Sequence, residues 1–172
     1  FQLMDGTTGA IVSEVEGQRY DIGVTDDGPA EIRFDSPLYE ARSFEIPVHA
    51  VCRAGLLGEV GASVTVDRLK DCPVYTLRPE HRIGHDFRAQ LPEPPMEFGS
   101  FFPMACHALR TGGIAIVDAI TCGAIDALTG EALQSRSHPI EDAAPSNYYL
   151  LRPRFRPRSE NADRAHAVIE AA

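Results

Sequence analysis

The sequence predicts an α/β protein built as two lobes, and three observations carry that expectation. Short apolar runs alternate with helical patterns along most of the chain, which is how strands covered by helices read. Two β-α-β blocks are separated by strands with no long helix between them, so the pattern belongs to two sheets, mainly parallel, rather than to one. Each lobe then holds fewer than about 100 residues, an ordinary size for a compact unit. With 172 residues, 44% of them apolar and 24% charged, the chain has enough material for a packed core.

Taken in order, Phe1 to Met4 reads as a strand. Thr7 or Thr8 can cap a helix that places Ile11, Val12 and Val15 on one face and ends at Gly17. Tyr20 to Thr25 is the next strand, closed by the turn residues Asp26 to Pro29. From Ser43 to Cys52 apolar and polar residues alternate as in one half-buried strand. A Gly-rich connection, a short helix with Val66 and Leu69, and a strand from Val74 to Leu77 follow. The segment Arg78 to Asp86 reads as a polar loop, with a helix after it from Asp86 to Leu91. Pro92, Pro94 and Pro95 forbid helix, and Met96 to Phe98 forms a brief strand. Ser100 is placed to cap a helix presenting Phe101, Met104, Ala105, Ala108 and Leu109 on one face and stopping at Gly112-Gly113. Ile114 to Val117 is a wholly apolar strand ending at Asp118, with a helix from Ala119 to Leu128. Leu133 to His138 and Tyr148 to Leu151 are strands. A last helix, capped by Ser159 with Glu160, sets Ala162, Ala165, Val168 and Ile169 on one face.

Charge and cysteine usage exclude several function classes. Sixteen basic against 25 acidic residues give a formal charge of -9, which repels a phosphate backbone unless cations gather on one face. The arginine-rich stretch RPRFRPR, Arg152 to Arg158, is a weak nucleic-acid signal against that balance. No apolar run approaches the roughly 18 to 20 residues of a bilayer span, so no membrane partner is expected. Cys52, Cys72, Cys106 and Cys122 form no C-x-x-C pair and read as free buried thiols of a cytoplasmic protein. FQLMDG has no basic start and no long apolar stretch, so it is not a signal peptide.

Ligands of open parallel sheets bind outside the carboxyl ends of the strands. Those ends are Asp5 to Thr8, Thr25-Asp26, Arg78 to Arg82, Phe98 to Phe101 and Asp118 to Thr121, and facing lobes would turn them toward one cleft. Thr7, Thr8 and Ser100 offer hydroxyls at helix starts, where free N–H groups also receive anions; plain capping explains them equally. Arg78 and Arg82 can grip a carboxylate, or stay solvated at the surface. Asp26, Asp27 and Asp118 can accept a cation or merely form turns. His81 and His85 have the four-residue spacing of helical metal ligands, but Gly84 lies between them and no third ligand completes a pattern. Cys106 and His107 point about 100° apart on a helix, unsuited to a nucleophile and base. No acid, base and nucleophile set is present, so the residues alone define a binding domain and not an enzyme, with no cofactor implied.

In succession, GTTGAIVSEVEGQRYDIGVTDD, SPLYEARSFEIPVHAVCRAG, VTVDRLKDCPVYTL, FGSFFPMACHALRTGGIAIVDAITC and YYLLRPRFRPRSENADRAHAVIE resemble the effector-binding domain of LysR-type transcriptional regulators. Met96 to Cys122 is most similar to the branch of the lysine-biosynthesis and opine regulators. The resemblance implies a two-lobed fold of the type 2 periplasmic-binding-protein kind. One lobe would comprise residues 1 to 42 and 143 to 172, the other 43 to 142. It also implies a small-molecule effector, assembly as a homodimer or tetramer, and DNA contact only through an N-terminal winged helix-turn-helix absent from this chain. The family's first strand and helix, which normally precede FQLMDG, are missing, so the fold is expected to be truncated at the N-terminus, with either an incomplete pocket or a missing part that was lost or is not included in this chain. Carried over residue by residue, the effector-contacting threonine falls on Thr8 beside Thr7. Thr25 and Asp26 match the end of the strand lining the hinge, and Ser100 and Phe101 the helix start facing the cleft. Asp118 replaces a residue often Pro or Asn, and the Arg78 to His85 loop carries over by location only. An amino acid or opine would rest its carboxylate on Thr8, Ser100 and an Arg, and its cationic end toward Asp26 or Asp118. A solute-binding protein of a transporter would share the fold but carry an export signal upstream. A purely structural dimerisation domain would show no response to ligand.

Overall fold

A computed structural model describes residues 7–26, 32–58, 62–91, 96–129, 135–157 and 159–170. The chain divides into two compact units, Phe1–Glu45 with Asn147–Ala172, and Ile46–Ser146. It therefore passes from one unit to the other twice. The expected strand at Phe1 to Met4, most of the Asp26 to Pro29 turn and the Pro92 to Pro95 segment lie outside the described residues.

In the first unit, Thr7 caps α1 (Thr8–Glu16), its hydroxyl accepting from the Ala10 N–H at 3.4 Å. The strands are β1 (Gly23–Thr25), β2 (Tyr39–Ile46) and β8 (Ser146–Pro153), in the order β1-β8-β2, with β1 antiparallel to β8. Val12 and Val15 of α1 pack with Ile32, Tyr39, Tyr149 and Leu151. That contact brings α1 so close to β1 that a Cβ on Gly23 would lie 2.8 Å from both Ile11 and Val15. The last helix, α6 (Glu160–Glu170), starts at Ser159, whose Oγ accepts from the Ala162 N–H at 3.2 Å.

In the second unit a five-stranded sheet is covered on both faces. Its strands are β3 (Val48–Arg53), β4 (Val74–Leu77), β5 (Met96–Phe98), β6 (Ile114–Asp118) and β7 (Ser135–Pro139), in the order β5-β4-β6-β3-β7. On one face Val48, Ala50, Cys52, Ile114 and Ile116 pack with Leu69 of α2 (Val66–Leu69) and with Ile83 and Phe87 of α3 (Arg82–Gln90). On the other face Val51, Tyr75, Leu77, Ala115 and Val117 meet α4 (Phe101–Thr111) and α5 (Ala119–Thr129) through Met104, Ala105, Ala108, Leu109, Cys122 and Ile125. Strand β6 is buried at all five positions, which explains its unbroken apolar run: helices cover both its faces. Helix α4 stops at Gly112, held at φ 80°.

Four expectations are corrected. The sheets are mixed rather than mainly parallel: β4 is parallel to β5 and β6, whereas β3 is antiparallel to β6 and β7. The single strand expected from Ser43 to Cys52 is two strands in two sheets, parted at Pro47, which cannot donate to a ladder. The polar loop expected from Arg78 to Asp86 becomes helical from Arg82, four residues earlier than expected, because Ile83 and Phe87 recur at i, i+4 and are buried. Of the four thiols, all free, Cys52 and Cys122 are buried and Cys72 and Cys106 half-buried. Among the described residues no helix is long and apolar enough to cross a membrane.

Candidate functional site

In the second unit three parallel strand ends stand side by side. Register pairs Leu77 with Phe98, and the Arg78 N–H donates to the Phe98 carbonyl at 3.0 Å, so Arg78 leaves β4 level with Gly99. On the other side Val74 pairs with Ile114, which sets Arg78 level with Asp118. The central position is held from behind by α3. A Cβ on Gly84 would lie 2.2 Å from the Leu77 carbonyl oxygen and 2.3 Å from that of Arg78, so glycine is what lets α3 seat against this strand end.

The side chains at these ends differ in how they are engaged. Arg78 is exposed, and its guanidinium makes no hydrogen bond or ion pair with the described residues. Ser100 occupies the N-cap position of α4 with extended backbone, φ -157° and ψ 152°, yet its hydroxyl makes no capping hydrogen bond. The expected capping role is thereby corrected, and the hydroxyl stays available at an exposed position. In the first turn of α4, Phe101 and Phe102 present N–H groups that the helix does not use, while Pro103 has none. Phe101 itself is half-buried and packs against the cores of both sheet faces. Asp118, 1% exposed, accepts from the Thr121 N–H at 2.6 Å and so caps α5. Arg82, by contrast, lies in α3 with Asp86 at 3.5 Å, an i, i+4 pair that draws it away from any role shared with Arg78.

In the first unit the structure joins Thr8 to Thr25: their hydroxyl oxygens are 2.6 Å apart, linking the first turn of α1 to the end of β1. Thr25 is buried and Asp26, next along the chain, half-buried. Thr7 is exposed and engaged as a cap.

The two histidines and the arginine stretch, which the sequence already disfavoured as metal ligands and as a nucleic-acid contact, are engaged locally. His81 takes the N-cap position of α3, with its carbonyl accepting from the His85 N–H at 3.0 Å, and His85 Nδ1 lies 3.2 Å from Asp86. Among the described residues no three His, Cys, Asp or Glu side chains converge as a metal ion requires. The arginine stretch is tied into its own unit: Arg152 pairs with Asp163, Arg154 with Glu40 at 3.1 Å and Arg156 with Asp21 at 2.7 Å. Those pairings cancel the basic footprint that nucleic acid would read.

Sequence reasoning passed over Phe102 and Ile120. They are 42% and 43% exposed, in the first turns of α4 and α5. The signal was present as apolar residues lying off the stripes that α4 and α5 bury.

The family model of the LysR substrate binding domain matches residues 1–172. The chain belongs to that family, whose members are the effector-binding domains of transcriptional regulators with a type 2 periplasmic-binding-protein fold. Among solved structures it is similar to the reduced OxyR regulatory domain of Pseudomonas aeruginosa (14% identity, TM-score 0.62, 95% of this chain and 77% of that one). It is also similar to the reduced regulatory domain of OxyR2 from Vibrio vulnificus (18%, 0.55, 96% and 76%). HinK, a LysR family regulator of Pseudomonas aeruginosa, matches at 13% and 0.60, over 96% of this chain and 57% of HinK. No curated protein matches.

Proposed function

We propose that this chain senses a small carboxylated metabolite on behalf of a LysR-type regulator, with the ligand's carboxylate taken by Arg78 and Ser100. The observation that carries the reading is the unengaged pair itself. A guanidinium and a hydroxyl with no partners among the described residues stand at the ends of adjacent parallel strands, beside the first turn of α4. A guanidinium grips a carboxylate through two parallel N–H donors, and charge-assisted bonds of this kind contribute about 1.5 to 3 kcal/mol each. In the first unit the linked hydroxyls of Thr8 and Thr25 form a second polar end.

The two compact units correspond, in this reading, to the two regulatory lobes of the family. Assembly into dimers or tetramers and DNA contact through an N-terminal domain are read from the family, whose regulators form oligomers and bind DNA in that way. A ligand acts as a switch by binding one arrangement of the domain better than another.

A thermal-shift screen of small organic acids, amino acids and opines tests this. A ligand at 100 times its dissociation constant adds about 2.7 kcal/mol of stability. The expected result is stabilisation by a carboxylated class that Arg78→Gln abolishes and Ser100→Ala weakens. A stabilising acid whose effect survives Arg78→Gln undiminished would overturn the assignment.

A further inference from the structure

The start of β3 ties down two remote segments. The Pro47 carbonyl accepts at 3.0 Å from the N–H of Ala119, the first residue of α5, and the Val48 carbonyl accepts from the Ile140 N–H at 2.9 Å. His49 follows directly. Val51, two residues on, packs under α4 and α5, and the register partner of His49, Val117, belongs to the same core, so alternation turns the imidazole to that face. There the ring is half-buried, with Nδ1 enclosed and without a hydrogen-bond partner among the described residues. Asp118, the residue after Val117, is 1% exposed and caps α5 by accepting from the Thr121 N–H at 2.6 Å. Among the described residues β6 brings Asp118 to this place and β7 brings His138, which pairs in register with Ala50; Arg136 lies further along β7, opposite Cys52. The helices meet this face through apolar side chains and the Cys122 thiol, while His107 of α4 is turned to Tyr75 and Phe98 and Arg110 is exposed.

From this arrangement we infer that His49 and Asp118 form a proton-operated switch: the carboxylate caps α5 while the imidazole is neutral, and turns to the imidazolium when His49 takes up a proton. A neutral imidazole tolerates the enclosure, because its proton sits on Nε2 and leaves Nδ1 a bare acceptor. The charged ring carries a proton on both nitrogens, and an enclosed Nδ1–H without an acceptor costs the whole desolvation penalty of that donor. Burial holds the pKa of His49 below the usual imidazole value, with Asp118 opposing the shift and His138 adding to it. The closed form is therefore kept above the ordinary histidine range and is lost as pH falls through the lower folded value. Withdrawing the carboxylate from Thr121 frees the first turn of α5, and with it Ala119 from Pro47. Acid thus loosens the start of β3 and of α5 locally, ahead of global unfolding. No ligand takes part, so the switch stands apart from the role proposed for Arg78.

Amide hydrogen exchange resolved by NMR tests this, with the His49 ring titrated in the same samples from about pH 7.5 to about pH 5. After correction for the intrinsic pH dependence of exchange, protection at Thr121 and Ala119 is expected to drop severalfold with the midpoint of the His49 titration, while Ile114 to Val117 stay protected. In His49→Gln that drop is expected to be absent. In Asp118→Asn, whose amide oxygen still caps α5 but carries no charge, the Thr121 amide is expected to stop responding and the His49 midpoint to move further down. Circular dichroism establishes that each variant is folded, and the shared midpoint in wild type decides the question even where a substitution prevents folding. Loss of protection that persists in His49→Gln, or a ring that titrates while Thr121 and Ala119 stay protected, would overturn the switch. So would a drop shared equally by the whole sheet, which marks ordinary acid unfolding, or an imidazole that takes up no proton before the protein unfolds.

Discussion

His49 shows at the level of one residue how burial sets chemistry. It sits in β3 between β6 and β7, half-buried, with Nδ1 enclosed and without a hydrogen-bond partner among the described residues. Burial pushes its pKa below the usual imidazole value; the Asp118 carboxylate opposes that shift and His138 adds to it. The folded state therefore binds a proton less readily than the unfolded chain. His49's contribution to stability is fully present above about pH 6.5 and is lost as pH falls through its lower folded value. Urea unfolding at pH 7.5 and 5.5 is expected to show a smaller acid-induced loss in His49→Gln than in wild type; equal losses would contradict it. Cys52 follows the same rule with the opposite sign. Burial raises its thiol to about 11, which makes it a packing residue in the sheet core rather than a nucleophile.

At the level of elements, the packing of α3 against the end of β4 decides where Arg78 stands. The Gly84 contact is with backbone oxygens, which cannot rotate away as a side chain would. Gly84→Ala is expected to destabilise the protein by about 2 kcal/mol or more, since overpacking typically costs about 1 to 3 kcal/mol. It should also weaken ligand response by displacing Arg78, although Gly84 is not placed to touch ligand. Chemical denaturation measures the first effect and thermal shift with the carboxylate that stabilises the wild type the second; an unchanged midpoint would show that α3 shifts freely. Here the sequence misled in an instructive way. Gly84 among His81, Arg82 and His85 looked like a loop, because only Ile83 and Phe87 mark the helix and a two-residue stripe is too short to read. The α4 stripe, with four buried residues at helical spacing, was legible throughout.

For the whole molecule, connectivity makes the two units unequal. Ile46–Ser146 is one continuous segment with a sheet covered on both faces, whereas the other unit is assembled from Phe1–Glu45 and Asn147–Ala172. Residues 46–146 expressed alone are therefore expected to fold, with dispersed amide resonances and a cooperative thermal transition. A broad, non-cooperative transition would show that the unit depends on the rest of the chain. The expected run of one strand from Ser43 to Cys52 failed at this scale: alternation is local, but the assignment of Phe44 to one sheet and Val48 to another is made by partners far along the chain.

What the sequence by itself determined is the succession of apolar periodicities, and with it the α/β class, the covered β6, the α4 face and the resemblance to LysR effector-binding domains. Those follow from contacts a few residues apart. Only the tertiary structure decided which polar groups are engaged. Asp118, Arg82 and the arginines from Arg152 to Arg156 look as available in the sequence as Arg78 and Ser100 do. Their partners Thr121 and Asp86 lie close by, but Arg154 meets Glu40 and Arg156 meets Asp21 across more than a hundred residues. A side chain's availability is what remains after every neighbour in space has been satisfied, and those neighbours are chosen by the fold.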